Sequence, residues 1–290
     1  MKIGEIFEQK KKEGRPVISF EIFPPKKEEA LKNIDETLGL LCALKPDFIS
    51  VTFGAGGSAV DNKTIEIAKK IKNNYGTTPV VHLTCLQYDR EEIRRLLDQL
   101  EEAGIDNVLA LRGDVNPNVP TKHDFRYASE LVEFVKSEKD FCVSGGCYPE
   151  THLEAPDAVT DIRNLKKKVD AGVEHLVSQL FFDNEKFYSF YEKTRIAGIN
   201  VPVEAGVMPV TNRAQIERMV HMCGASLPPK FERILRKYEN NREALLDAGI
   251  AYAVNQIVDL IAHDVDGVHI YTMNRPAIAK RICDGIKNLI

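Results

Sequence analysis

The sequence lacks most of the features that would take it out of the ordinary globular class. Its six cysteines, at 42, 85, 142, 147, 223 and 283, form no CxxC pair and no zinc-type spacing with histidine. That excludes a disulfide framework and points to reduced, mostly buried thiols in a cytoplasmic protein. No apolar stretch reaches 18 residues, so no membrane span is expected. The first 20 residues are charged and carry no apolar core, which points away from a signal peptide. No basic block stands out, and 39 basic against 43 acidic residues leave a net charge of −4, so nucleic acid is not an expected partner. No Pro/Gly/Ser-rich run divides the 290 residues. With 43% hydrophobic and 28% charged residues, the composition excludes collagen, coiled coil and low-complexity disorder. The length allows one or two domains, with a full core in either case.

What is present is an alternation. Short β-rich apolar runs occur at Val17–Phe23, Phe48–Phe53, Pro79–Cys85, Asn107–Arg112, Cys142–Tyr148, His175–Phe182, Val201–Met208 and Gly267–Met273. Amphipathic segments lie between them: Glu28–Leu44, Asp61–Asn74, Arg90–Ala103, Tyr127–Lys136, Pro156–Ala171, Asn184–Ala197, Asn212–Met222, a pair from Pro229 to Ala262, and Pro276–Leu289. In the third, Ile93, Leu96, Leu97 and Leu100 follow the i, i+3, i+4, i+7 pattern of one helix face. Gly104, Gly172 and Gly198 stand where helices end. Strands alternating with helices imply parallel pairing through crossovers. The count and length predict a closed (β/α)8 barrel as a single domain over 1–290, with extra helices before the last strand. A doubly wound open sheet is the alternative; it usually places GxGxxG after its first strand, and here that strand ends in FEIFPPKK, without glycine.

In a barrel the chemistry sits at the C-terminal strand ends. These ends carry Glu21, Thr52, His82, Arg112, Asp114, Tyr148, Glu150, His152, Gln179, Tyr271, Asn274 and Arg275. Glu21, inside the apolar run ISFEIF, is the most informative. A carboxylate buried in a strand raises its pKa or finds a partner. The first outcome suits a general acid; the second is a structural pair with an interior Arg or Lys. Gln179 could fix a heterocycle by donating and accepting together, or make a structural hydrogen bond. Asp114 could meet a cation or a ring N–H, or cap its loop. The FGAGGS run at 53–58 is either a phosphate cradle or a flexible loop. Asp161, Asn164 and Lys168 share one narrow helix face, which could meet a sugar hydroxyl and a phosphate or be a solvated edge. His82 and His152 lack metal-ligand spacing, so hydrogen bonding is expected of them, and no metal.

The ordered motifs SFEIFPPK (19–26), DFISVTFGAGG (47–57), HLTC (82–85), LALRGD (109–114), YPETH (148–152), NLKKKVDAGVEHLVSQLFFD (164–183) and YTMNR (271–275) resemble the methylenetetrahydrofolate reductase family along the whole chain. The resemblance implies a barrel that binds FAD across its strand ends. By that resemblance Glu21 is the general acid that assists opening of the folate imidazolidine ring. Asp114 lies beside flavin and folate, tunes the flavin and stabilises a cationic iminium. Gln179 contacts the pterin, and Tyr271 and Arg275 lie near folate or reductant. Thr52, His82, Arg112, Gly113, Tyr148 and His152 line the flavin. Asp161, Asn164 and Lys168 hold its ribityl–phosphate–adenosine part, and Tyr127 and Ala128 match another flavin-contacting stretch.

The implied reaction is ping-pong. A donor such as NADH reduces the flavin at N5 and leaves, and methylenetetrahydrofolate then takes the hydride to become methyltetrahydrofolate, in one-carbon metabolism serving methionine biosynthesis. One departure stands out. The family places an aromatic residue on the helix after strand 7, whereas Asn212–Met222 has none and Met219 is the nearest candidate. No regulatory domain is expected beyond Ile290. A homo-oligomer is expected. Some short relatives work with an iron–sulfur partner subunit, a possible partner here, although no ferredoxin-type cysteine run occurs in this chain. Two other classes compete: a pterin-binding (β/α)8 methyltransferase-type domain without flavin, and a non-catalytic binding subunit.

Overall fold

All eight apolar runs form strands, and each pairs in parallel with its neighbour. In the computed structural model, which describes residues 1–25, 33–53, 58–115 and 120–290, the order β1-β2-β3-β4-β5-β6-β7-β8 closes on itself through β1 and β8. The strands are β1 (Val17–Ile22), β2 (Phe48–Val51), β3 (Thr78–Thr84), β4 (Asn107–Leu111), β5 (Cys142–Cys147), β6 (His175–Ser178), β7 (Val203–Val207) and β8 (Gly267–Tyr271). The helices are α1 (Ile3–Glu13), α2 (Ile34–Cys42), α3 (Ser58–Tyr75), α4 (Arg90–Glu102), α5 (Ala128–Glu138), α6 (Ala158–Asp170), α7 (Asn184–Ile196), α8 (Arg213–Cys223), α9 (Pro229–Tyr238), α10 (Arg242–Ala262) and α11 (Pro276–Ile286). The expected barrel is therefore formed and the open sheet is not. Gly54, Gly56 and Gly57 and the start of the helix expected from Glu28 lie outside the described residues.

Alternation along each strand divides the side chains between two environments. Outward residues such as Ile18, Phe20, Ile22, Val81, Leu83 and Ile270 join the helices in the main apolar core. Inward ones fill the barrel. Its N-terminal end is apolar, with Val17, Phe48, Val80, Leu109 and Val177 meeting Ile3, Ile6 and Phe7 of α1. This helix was not anticipated, because its flanking lysines and glutamates mask a short apolar stripe. It plugs the bottom of the barrel, and the Ile3 N–H donates to Asn107 Oδ1 at 2.9 Å. A third cluster, including Leu180, Met208, Phe231 and Leu245, lies beneath α8 to α10.

Helix α10 is long and apolar enough, by length and composition, to cross a membrane. Leu245, Ile250, Ala253, Ile257 and Leu260 are instead buried against the rest of the fold, and its neighbours are α9, α11, α7 and β7. That is the behaviour of a core helix.

Candidate functional site

Glu21 sits at the C-terminal end of β1, paired in register with Ser50 and Tyr271. Its Oε2 lies 3.6 Å from His82 Nε2 and 3.8 Å from His269 Nε2, contacts longer than formed hydrogen bonds. Among the described residues His82 Nε2 is buried without a hydrogen-bond partner, and His269 Nε2 also lies 3.5 Å from Ser50 Oγ. Burial pushes Glu21 upward. The interaction with His269 and the charges on His82 and His269 outweigh that push, and the carboxyl lies below its usual value. Of the two outcomes open to a carboxylate in a strand, a raised pKa or a partner, the direction here is that of the partnered one, and the partners are two histidines in place of an interior Arg or Lys. Burial drives His82 down to about 4 against the opposing pull of Glu21. The charge of His82 is therefore lost well below neutrality.

Tyr271, one register step beyond His269 on the same inward face, has its ring 5.3 Å from that imidazole. Its hydroxyl reaches over β7 and donates to Ser178 O at 2.8 Å. This is possible because Gly206 stands between them: a Cβ there would meet Ser178 O at 2.3 Å and the Tyr271 hydroxyl at 2.8 Å. The same contact explains why β6 stops at Ser178 rather than running to Phe182. Ser178 O turns to the tyrosine, and Ser178 Oγ accepts from the Gly206 N–H at 2.9 Å in place of a ladder bond. Gln179 lies just beyond the end of β6 and keeps only the β5 side of the pairing, its N–H donating to Cys147 O at 2.7 Å. Its Oε1 accepts from the Leu180 N–H at 2.8 Å, and among the described residues its amide NH2 has no acceptor.

The rim after β4 and β5 carries the next group. Gly113 has φ of 85°, a left-handed conformation, and a Cβ there would lie 3.1 Å from Thr84 Cβ. Gln87 donates to Asp114 O at 2.8 Å, leaving the exposed Asp114 carboxylate to the mouth. Arg112 forms a bidentate pair with Glu154. The rings of Tyr148 and His152 meet edge-on at 4.5 Å, and burial raises the Tyr148 phenol to about 12. The His152 N–H donates to Asp161 Oδ2 at 2.9 Å, and Lys168 donates to Gly146 O. The polar line of α6 therefore braces β5 and its loop, with Asn164 exposed on the same face. Burial lowers Lys168. Thr52 extends the β1–β2 pairing through its N–H to Ile22 O at 2.9 Å. Tyr127 is the N-cap residue of α5 and is 61% exposed, with Ala128 half-buried behind it.

Met219 and Arg275 share a cleft of about 190 Å³ with Met208, Thr211, Met273 and Ile278. Arg275 donates to Thr211 Oγ1 at 2.9 Å. The YTMNR motif has a structural role as well: Asn274 makes paired hydrogen bonds with the backbone of Phe23, at 3.0 and 2.7 Å, and Thr272 Oγ1 donates to Glu21 O at 2.7 Å. All three bonds hold the end of β1.

The residues not anticipated are inside the barrel. Ser19, Ser50, Ser144, His175, Glu204 and His269 are all buried. Their signal was available: each is a polar residue within a β-rich run, as Glu21 is. Which of them face one another depends on the register between strands, which the sequence does not display. Among the described residues no group of three or more acidic, His or Cys side chains could hold a metal ion.

A family model described as methylenetetrahydrofolate reductase matches residues 6–287. A 5,10-methylenetetrahydrofolate reductase of Pectobacterium carotovorum subsp. carotovorum is 35% identical over 271 residues, which cover 93% of this chain and 90% of that protein. Methylenetetrahydrofolate reductase (NADH) 1 of Arabidopsis thaliana is 35% identical over 94% of this chain and 49% of the plant protein. Among solved structures, an uncharacterised Clostridium thermocellum protein that binds two copies of 5-methyl-5,6,7,8-tetrahydrofolic acid shares the fold, with a TM-score of 0.69 at 16% identity, covering 97% of this chain and 99% of that one. The chain belongs to the methylenetetrahydrofolate reductase family, which reduces methylenetetrahydrofolate to methyltetrahydrofolate.

Proposed function

We propose that this chain reduces methylenetetrahydrofolate with FAD as its resident cofactor and Glu21 as general acid. The observation that carries the reading is the constellation at the barrel mouth: one carboxyl between two imidazoles at the end of β1, with an exposed carboxylate, Asp114, on the rim.

The residues present fit a flavin. His82 Nε2 is a buried polar atom without a partner. Phe23, Val115, Tyr127 and Leu153 are exposed on the rim, an apolar surface suited to a flat ring system. Thr52, His82, Arg112, Gly113, Tyr148 and His152 would hold the ring, and Asp161, Asn164, Lys168, Tyr127 and Ala128 the remainder. Held there, FAD would supply a two-electron hydride carrier between a donor such as NADH and the folate, in ping-pong order.

The chain itself supplies proton control and charge. Gln179 orients the pterin through its amide NH2, which has no acceptor among the described residues. Glu21 gives a proton to folate N10 as the imidazolidine ring opens to the iminium ion, and solvent returns the proton before the next turnover. Asp114 places negative charge where that cation develops. Tyr271, Arg275 and Met219 shape the folate and donor pocket. A homo-oligomer is in keeping with this reading, an iron–sulfur partner subunit would act on electron supply, and a cytoplasmic setting suits the free thiols.

The test is spectroscopic. Purified protein is expected to be yellow or to become so with FAD, and to bleach with a donor. Glu21→Gln should still bleach but fail to recolour with methylenetetrahydrofolate. Protein that cannot take up FAD would instead favour the flavin-free pterin-binding barrel, and equal loss of both half-reactions in Glu21→Gln would remove the acid role.

A further inference from the structure

Directly beneath Glu21 lies a connected set of buried polar groups that the proposed reaction does not use. Ser19 Oγ donates to Glu204 Oε1 at 2.8 Å and contacts His269 Nδ1 at 2.6 Å. Glu204 Oε2 lies 3.1 Å from His175 Nε2, close but without hydrogen-bond geometry, and His175 Nδ1 lies 3.0 Å from Ser144 Oγ. Both Glu204 and His269 have no exposed surface. The middle of a barrel is usually filled by branched aliphatic side chains. Burying a carboxylate there is costly unless partners surround it.

The hydrogen-bond arithmetic of this set is restrictive. A serine hydroxyl has one proton. Ser19 gives it to Glu204, so the contact with His269 must be donated by Nδ1–H of the imidazole. In the neutral ring the other nitrogen, Nε2, is then an acceptor. That nitrogen faces Glu21 Oε2 at 3.8 Å.

We propose that Glu204, acting through Ser19, is a positioning residue that fixes the proton of His269 on Nδ1 and so presents the bare Nε2 to Glu21. The proposal rests on the reading of Glu21 as the general acid. At 3.8 Å a bare Nε2 donates nothing to the carboxylate and sets a lone pair against it, so it favours the protonated acid over the ionised one. The downward pull on Glu21 comes first from a hydrogen bond donated by His269 and then from charge on His82 and His269; a bare Nε2 removes that donor, and the charge of His82 is absent above about pH 4. Among the described residues, the groups facing this centre are Glu21 and Ser19 from β1, Ser50 from β2, His82 from β3, Ser144 from β5, His175 from β6, Glu204 from β7, and His269 and Tyr271 from β8. Ser50 Oγ, 3.5 Å from His269 Nε2, can only add a donor to that nitrogen when it is bare.

Two measurements test the chain. The first is nitrogen NMR of protein labelled with 15N-histidine, with His269 assigned by the signal lost in His269→Gln. The Nδ1–H form is expected at neutral pH; the Nε2–H form or a doubly protonated ring there would overturn the proposal. The second is the pH profile of each half-reaction of the FAD-loaded protein. In Glu204→Leu the alkaline limb of folate-driven recolouring should move down by about one pH unit, a loss of about tenfold at neutral pH, while donor-driven bleaching keeps its rate. Ser19→Ala, a smaller change that stays informative if Glu204→Leu fails to fold, should shift the limb in the same direction. If Glu21→Gln blocks recolouring while Ser19→Ala and Glu204→Leu keep the parent limb, the positioning chain is wrong and the acid role stands. If Glu21→Gln recolours normally, the acid role fails and the chain falls with it.

Discussion

His82 shows how one buried side chain couples the barrel mouth to stability. It is 5% exposed, and burial lowers its imidazole from 6.5 to about 4. Between those values the unfolded chain binds a proton that the folded chain refuses, so folding stability falls as pH drops through this window. A shift of that size corresponds to about 3 kcal/mol, present in full above the unfolded value and lost on acidification. The flavin-free His82→Gln variant should therefore show a shallower loss of urea midpoint from neutral pH to about 4 than the parent; equal slopes would disprove the assignment. Cys85 and Cys147, whose thiols burial raises to about 12, should stay unreactive towards alkylating agents at mildly alkaline pH until the protein unfolds.

At the scale of elements, the top of the β6–β7–β8 segment depends on Gly206. The clash of a Cβ with Ser178 O is with backbone, so relief requires strand movement rather than a rotamer change. Gly206→Ala should cost about 1–3 kcal/mol and weaken the folate half-reaction by displacing Tyr271 and Gln179. Thermal unfolding and recolouring rates measure the two effects. The bottom of the barrel depends on α1. Phe7 is buried with its ring 4.7 Å from His175, and Phe7→Ala should lower stability by about 3–5 kcal/mol while leaving the mouth chemistry in place. The strands were legible because a parallel barrel strand is apolar on its outer face throughout. Their ends were overestimated at β6, where Tyr271 from a distant part of the chain intercepts Ser178. The short plug α1 was not legible, since three buried apolar residues among lysines and glutamates give a weak periodic signal.

For the whole molecule, the eight-strand closure gathers groups from residue 21 to residue 275 at one mouth. If FAD occupies that mouth, it binds the folded chain and not the unfolded one, so added FAD should raise the melting temperature in a concentration-dependent way. At a hundred times its dissociation constant the gain is about 2.7 kcal/mol. A melting temperature indifferent to FAD would count against the flavin. The net charge of −4 does not attract an anionic dinucleotide, so affinity has to come from local cations. Of these, Arg112 is engaged by Glu154 and Lys168 by Gly146 O, and both contacts would be rearranged or shared on binding.

The amino-acid sequence by itself determined the alternation of strand and helix, the closed barrel, the family and the polar residues at the strand ends, because periodicity and local motifs are properties of neighbouring residues. Tertiary structure decided which of those residues meet. Glu21 faces His82 and His269 rather than an interior Arg or Lys, and the Ser19 hydroxyl joins Glu204 to His269, because inter-strand register sets which inward side chains share a layer. That register arises from packing the whole barrel, and no local stretch of sequence contains it.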